Sequence, residues 1–243
     1  MKLQKIRKFI LLISFILFPV TLYYLSPYLI LAGGFNGVAV GSFFVFAAQF
    51  ILSLLFGRAF CGWVCPAGAL QECCTQVVDK RVNIKRASWI KYVIWAPWLI
   101  TIVIAFIRAG GIKDIDVLFM TDHGISASGI PGYIMYLSIV FLILILALLT
   151  GKRGMCHTIC WMAPFMVIGT AIKDRLKYPS LHLKAEPDKC VKCGLCTRSC
   201  PMSLDVEKMV STGQTHHNEC ILCGACASGC KKEAVKLSFG KNK

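Results

Sequence analysis

Acidic residues are scarce in this chain of 243 residues: 12 Asp and Glu stand against 27 Lys and Arg, for a formal charge of +15. Charge of either sign is thin, at 16 %, while 56 % of residues are hydrophobic. With a mean hydropathy of +0.65, that composition excludes a single water-soluble domain and reads as an integral membrane protein. Histidine is also rare. The five are His123, His157, His182, His216 and His217, and none lies within an apolar run, so the paired axial ligands of an intramembrane haem are missing. There is no C-x-x-C-H either, so no haem is expected. A phosphate-binding glycine loop, a dinucleotide fingerprint and a nucleophile constellation are all lacking, which leaves any chemistry to bound cofactors. The basic excess would suggest nucleic acid if it formed stripes with interleaved aromatics. It sits instead at the ends of apolar runs, a topology signal, and no nucleic-acid partner is expected.

Four segments have the length and apolarity of a bilayer span: about 9 to 26, 38 to 56, 90 to 107 and 132 to 150. Pro19, Pro27, Gly33 and Gly34 interrupt the first pair, which reads as a hairpin, with one long span plus a re-entrant piece as the alternative. Met1 to Phe18 has the charged and apolar regions of a signal peptide but no small-residue cleavage site after it, so it is expected to stay as the first helix. Lys2, Lys5, Arg7 and Lys8, and the loop with Arg58, Lys80, Arg81, Lys85, Arg86 and Lys91, place both stretches in the cytoplasm. Residues 27 to 37 lack Lys and Arg, and 108 to 133 balance Arg108 and Lys113 with Asp114, Asp116 and Asp122, so both should face outside. Both termini are then cytoplasmic, in a cell inner membrane of bacterial or archaeal type.

A low-resolution repeat runs through this half. The first copy closes with Gly57, Arg58, Cys61, Cys65, Pro66 and the run Gly68 to Val82; the second closes with Gly151, Lys152, Arg153, Cys156, Cys160, Pro164 and the run Phe165 to Leu176. Each trailing run mixes apolar and charged residues at helical spacing and should lie along the cytoplasmic interface. Residues 177 to 187, with Pro179 and Pro187, read as a linker.

Of 14 cysteines, eight form the strongest pattern. Cys190, Cys193, Cys196 and Cys200 have C-x2-C-x2-C-x3-C spacing followed by Pro201, and Cys220, Cys223, Cys226 and Cys230 repeat it. A tight loop that presents three thiolates, with a fourth arriving from elsewhere, is what a [4Fe-4S] cube requires, and in two-cluster modules the fourth crosses over. Cys190, Cys193, Cys196 and Cys230 are assigned to one cluster; Cys220, Cys223, Cys226 and Cys200 to the other. Zinc is disfavoured by so dense a repeated run. Gly194 and Gly224 occupy matching places, and Lys231 stands where the first run has Pro201. This stretch, about 186 to 238, resembles the bacterial-type two-cluster ferredoxins.

Cys61 and Cys65, like Cys156 and Cys160, are four apart, which puts both sulfurs on one side of a helix or turn. The repeat would bring the pairs together at one end of the bundle, where four thiolates could hold a third iron-sulfur cluster. A redox-active dithiol, a zinc site and simple packing are the other readings. Arg58, Lys152 and Arg153 serve there equally well as counter-charges to a cluster or as positive-inside anchors. The adjacent Cys73 and Cys74 diverge on a helix and read as packing residues. His157 is a candidate quinone-site residue at the membrane edge, and the tryptophans fit an interfacial belt.

The run G-R-A-F-C-G-W-V-C-P-A-G at Gly57 to Gly68, the later C-x3-C and the terminal cluster motifs together resemble the NapH-type polyferredoxin membrane proteins. The second motif departs from that pattern, since Trp161, Met162 and Ala163 separate Cys160 from Pro164. The resemblance implies an electron-transfer subunit that works with quinol or quinone and a redox partner. The expected fold is an all-α bundle of four transmembrane helices over 1 to 176, then the linker, then a small α+β two-cluster ferredoxin-like domain over 188 to 243. The alternative is an assembly or regulatory factor that uses its clusters to reduce a metal or thiols while a partner oxidoreductase matures.

Overall fold

The computed structural model describes residues 2–241. Its first part is α1 (Lys2–Ile16), α2 (Phe18–Thr21), α3 (Pro27–Asn36), β1 (Val38–Val40) and α4 (Gly41–Phe56). Short helices α5 (Ala59–Trp63), α6 (Pro66–Cys74) and α7 (Ile84–Ala87) precede the long α8 (Ile90–Arg108), then β2 (Asp114–Asp116) and the long α9 (Gly129–Thr150). The remainder is α10 (Gly154–Thr158), α11 (Met162–Leu176), β3 (Ser180–Ala185), α12 (Leu195–Arg198), α13 (Val206–Ser211), α14 (Ala225–Gly229) and β4 (Val235–Gly240).

Two helices among the described residues, α8 and α9, are long and apolar enough to cross a membrane, and α4 is a shorter apolar helix. Four spans of full length are therefore not what the fold contains. The first expected span breaks at Leu17, next to Pro19, because proline removes a backbone donor and crowds the preceding turn. After it the chain dips back. The Trp98 indole donates to the Pro27 carbonyl at 3.2 Å, while Gly34 lies against Ala105 and Phe106, so α3 runs beside only the C-terminal half of α8. The expected hairpin thus has a third helix, α3, inserted in it, and β1 pairs in parallel with β2 beyond the C-terminal end of α8. The outer faces of α8 and α9 are apolar and uncovered, with Ile107 at 71 % and Ile130 at 78 % exposure.

The two repeats interlock. The helix ahead of each C-x3-C pair, α4 or α9, ends at a glycine, Gly57 (φ 54°, ψ −136°) and Gly151 (φ 98°, ψ −155°), in or close to backbone conformations that a Cβ all but forbids. The sharp exit this permits turns the chain into a five-residue helix, α5 or α10, that carries the first cysteine of each pair. The trailing helices were expected at the interface, but they enter the bundle: α6 packs on α9, and α11 packs on α4. Phe165 of α11 meets Phe46 at 5.8 Å and Trp98 at 6.2 Å; Ala67 and Leu70 of α6 meet Ile143 and Phe18. Each run's apolar face is covered by the other repeat's helix, which removes more apolar surface from water than an interface position would. Trp98 lies inside with them, 7 % exposed, and so is not part of a belt.

The stretch expected as a linker carries β3, which pairs antiparallel with β4 from Ser180 opposite Gly240 to Ala185 opposite Val235. Leu181 and Leu183 supply the alternating apolar face that makes it a strand. The C-terminal module is not tethered at a distance. One apolar core contains Cys61, Cys156 and Met166 together with Leu204, Val206, Ile221 and Leu222. At the seam, the Trp63 indole donates to the Leu222 carbonyl at 3.1 Å, Gln4 to the Cys223 carbonyl at 2.9 Å, and Lys152 to the Arg198 carbonyl at 2.9 Å. Gly62 has no room for a Cβ against the Ile221 carbonyl and Cys223.

Candidate functional site

Two cavities in the C-terminal module are lined by thiols. The larger, about 220 Å³, is bounded by Cys190, Cys193, Cys196 and Cys230; the tighter one is bounded by Cys200, Cys220, Cys223 and Cys226. Gly194 and Gly224 cap α12 and α14 with nearly the same backbone angles, φ 73° and 70°, so the two cysteine loops are structural copies. Backbone amides turn toward the sulfurs, as where Ala234 N–H donates to Cys230 Sγ at 3.3 Å. Burial pushes the Cys220 thiol up to about 12 and Cys200 to about 11, against the pull of nearby amides. Neutral thiols are therefore favoured unless a cationic centre takes the negative charge, which is what an iron-sulfur core supplies.

Cys61, Cys65, Cys156 and Cys160 form a third group beneath these cavities. The first three are fully enclosed, at 3 %, 5 % and 5 % exposure. Burial, then the charges of the other three sulfurs, push Cys65 well above the ordinary range; burial, Cys156 and Cys61 push Cys160 to about 12. The amides of Gly68 and Ala163, each three residues beyond its cysteine, pull the other way. Cys65 and Cys160 thus stand alike at the N-termini of α6 and α11, where amides favour a thiolate. Among the described residues, no three His, Cys, Asp or Glu side chains are gathered closely enough to hold a single metal ion.

Arg58 and Arg153 are both 0 % exposed, and each lies three residues before the first cysteine of its repeat. Arg58 donates to Glu219 at 2.5 Å. Arg153 donates to the Cys61 carbonyl and to Glu72, each at 2.5 Å. Yet Arg58 Nε and Nη2 and Arg153 Nε have no acceptor, and a buried charged donor left unmet costs more than about 1–3 kcal/mol. Positive-inside anchoring does not account for guanidiniums sealed from solvent beside four thiols. Gly68 leaves the space that the Arg153 guanidinium fills.

Two carboxylates that spacing did not single out organise these charges. Glu219, next to Cys220, joins Arg58 and Lys91 across the seam; burial works to raise its pKa, but those cations outweigh it and hold it at about 2. Glu72 takes a bidentate pair of bonds from Arg7 at 2.8 and 2.9 Å in addition to Arg153. No Lys or Arg stands within seven residues of either carboxylate in the sequence, so nothing local marked them. His157, the candidate quinone-site residue, is 0 % exposed, 3.7 Å from Glu219, and burial drops its pKa to about 4; it lies sealed within the protein, not at its surface. Cys74 is buried, but Cys73 is exposed and so is not a packing residue.

Residues 38–85 and 132–179 both match a 4Fe-4S binding domain, and residues 182–231 match a 4Fe-4S dicluster domain. The chain carries 4Fe-4S ferredoxin-type domains. The two copies of the first match contain one C-x3-C pair each. Relatives include the uncharacterized protein MJ0749 of Methanocaldococcus jannaschii, 27 % identical over 79 % of this chain and 69 % of that protein. YccM of Escherichia coli K12, whose name assigns it to electron transport, is 21 % identical over 75 % of this chain and 52 % of its own length. The methylamine utilization ferredoxin-type protein MauN of Methylobacillus flagellatus is 24 % identical over 72 % of this chain and 60 % of its own. No solved structure matches. These likenesses support iron-sulfur clusters and electron transfer as the chemistry of the chain.

Proposed function

We propose that the protein is a membrane-anchored iron-sulfur relay that passes electrons between lipid-soluble quinol or quinone and a redox protein. The observation that carries this reading is the single apolar core in which Cys61 and Cys156 sit with Cys200, Cys223 and Cys226, and against which Cys190, Cys196, Cys220 and Cys230 pack. Cysteines of all three sets joined through one apolar core make a path for single electrons, the chemistry that [4Fe-4S] clusters would supply when bound. Cys61, Cys65, Cys156 and Cys160 would hold the innermost cluster. Gly62 and Trp63, against Ile221 to Cys223, adjoin the second set, Cys220, Cys223, Cys226 and Cys200. The third set, Cys190, Cys193, Cys196 and Cys230, reaches the surface at the exposed Cys193, within a rim of Lys189, Lys192, Lys231 and Lys232. That rim suits an acidic redox partner.

In this reading α8 and α9 cross the bilayer at full length, and two lesser passes, the shorter α4 and the interrupted α1 with α2, accompany them; the basic residues near their inner ends keep the module in the cytoplasm. With His157 enclosed, the entry for a quinone is the cleft of about 740 Å³ between α1, α6 and the module. Leu11, Leu12 and Phe15 open it toward lipid, while Pro201, Ala225 and Gly229 bring it beside both cysteine loops.

Purified protein should contain about twelve iron and twelve labile sulfide per chain if all three sites fill; about eight of each would eliminate the innermost cluster. Protein with intact clusters that is neither reduced by a quinol nor reoxidised by a quinone would eliminate the quinone role. A second reading, reduction of a metal or thiol during maturation of a partner oxidoreductase, draws on the exposed Cys73 in the same cleft. It requires a deletion strain with normal quinol turnover and an unmetallated partner enzyme.

A further inference from the structure

We propose that Arg58 and Arg153 are paired counter-charges and hydrogen-bond donors of the innermost cluster, and that they hold its midpoint potential above those of the two ferredoxin clusters. The proposal rests on the reading that Cys61, Cys65, Cys156 and Cys160 hold a [4Fe-4S] cluster. Four thiolates on such a core form a dianion when oxidised and a trianion after one-electron reduction, which forms and breaks no bond. An anion of that charge is costly to enclose unless cations and donors replace water around it.

The fold provides both, one from each repeat. Arg58 faces Cys61 and Cys156, and Arg153 faces Cys156 and Cys65. Their unmet donors, Arg58 Nε and Nη2 and Arg153 Nε, are the groups available to sulfide and thiolate. With Lys91 opposed by Glu219 and Arg7 by Glu72, the two arginines keep a net positive charge at the thiols. The Cys190 set is rimmed by surface lysines, and Lys192, Lys231 and Lys232 are exposed, so salt screens their influence; the Cys220 set meets the same arginines one sulfur at a time, Arg58 at Cys220 and Arg7 with Arg153 at Cys223, where Glu72 opposes them. Reduction adds negative charge, and buried cations favour the reduced state most where water is absent. Of the three clusters, the innermost is then the one on which a single shared electron comes to rest, because electrons move spontaneously toward the higher potential.

The test is a potentiometric titration of the purified full-length protein, with dithionite as reductant and paramagnetic resonance as readout. Arg58→Gln and Arg153→Gln should each lower the equilibrium constant for reduction of the innermost cluster at least tenfold, about 59 mV for one electron, and shift the ferredoxin signals less. Arg58→Lys and Arg153→Lys should retain most of the wild-type potential. Glu219→Gln keeps shape and removes an opposing charge, so it should move the potential upward. If a glutamine variant loses the cluster, recovery in the lysine variant supports the charge role, and continued loss together with an unshifted Glu219→Gln protein overturns it. A third signal that is indifferent to every variant, or that titrates below the ferredoxin pair in the wild type, overturns this proposal alone. A wild-type protein with two signals and about eight irons overturns the occupancy reading beneath it as well.

Discussion

Replacing Glu72 with glutamine would show how strongly the buried charges tie the N-terminal helix to the cysteine site. Glu72 is 15 % exposed at its side chain, its partners Arg7 and Arg153 4 % and 0 %. Removing one member of a buried ion pair costs about 3–5 kcal/mol, because the remaining charge loses its compensation. Arg7 lines the cleft and can recover water, while Arg153 cannot, so the loss should fall near the lower end, about 3 kcal/mol. Burial by itself raises the Glu72 pKa; Arg153 and Arg7 outweigh it and bring it below the ordinary value of 4.5. A depressed folded pKa gives stability that is fully present above about 4.5 and is lost as pH falls through the folded value. The gap between wild type and Glu72→Gln should therefore be full at pH 7 and shrink in acid. Unfolding rates in detergent, followed by tryptophan fluorescence, would measure the gap, and hydrogen exchange in α1 would localise it. Equal unfolding at pH 7, or a gap that is constant through the acid range, would refute the reasoning.

Cys200→Ser should abolish the paramagnetic signal of the Cys220 set and spare the Cys190 set, and Cys230→Ser should do the reverse; loss from the variant's own run in both cases would mean that the fourth ligands do not cross. Gly57→Ala and Gly151→Ala should each cost about 1–3 kcal/mol, since both place a Cβ on backbone of the kind only glycine tolerates well; a thermal midpoint equal to wild type would count against the strained exit. Lys192→Glu with Lys231→Glu and Lys232→Glu should slow electron transfer to an acidic ferredoxin used as probe, about tenfold or more at low salt, with the difference fading as ionic strength rises. Stopped-flow rates independent of salt would remove the lysine rim as a docking face.

Much of the site was legible because ligation imposes spacing on the chain itself. The two C-x2-C-x2-C-x3-C runs announce their loops locally, and the glycines and basic residues before Cys61 and Cys156 mark a repeat without any knowledge of the fold. Hydropathy located α8 and α9 because each is a long helix with an uncovered apolar face. It misjudged residues 9 to 56, where Pro19 and Pro27 divide apolar sequence into pieces whose partners are distant: α3 is held by Trp98 and Ala105, neither visible from its own run. Residues 177 to 187 looked like a linker because two prolines flank a strand whose partner, β4, lies about fifty residues onward.

By itself, the sequence determined which atoms can carry the chemistry: the cysteine sets, the absence of haem ligands and the surplus of basic residues. Tertiary structure alone decided where each charge lives. Lys91, Arg7, Arg58 and Arg153 look alike in composition, as membrane anchors, yet the fold seals them beside Glu219, Glu72 and the thiols. His157 looked accessible and is enclosed. The physical reason is that burial and pairing depend on elements far apart in the chain, such as α6 on α9 and α11 on α4, and a charge changes its meaning once water is removed from around it.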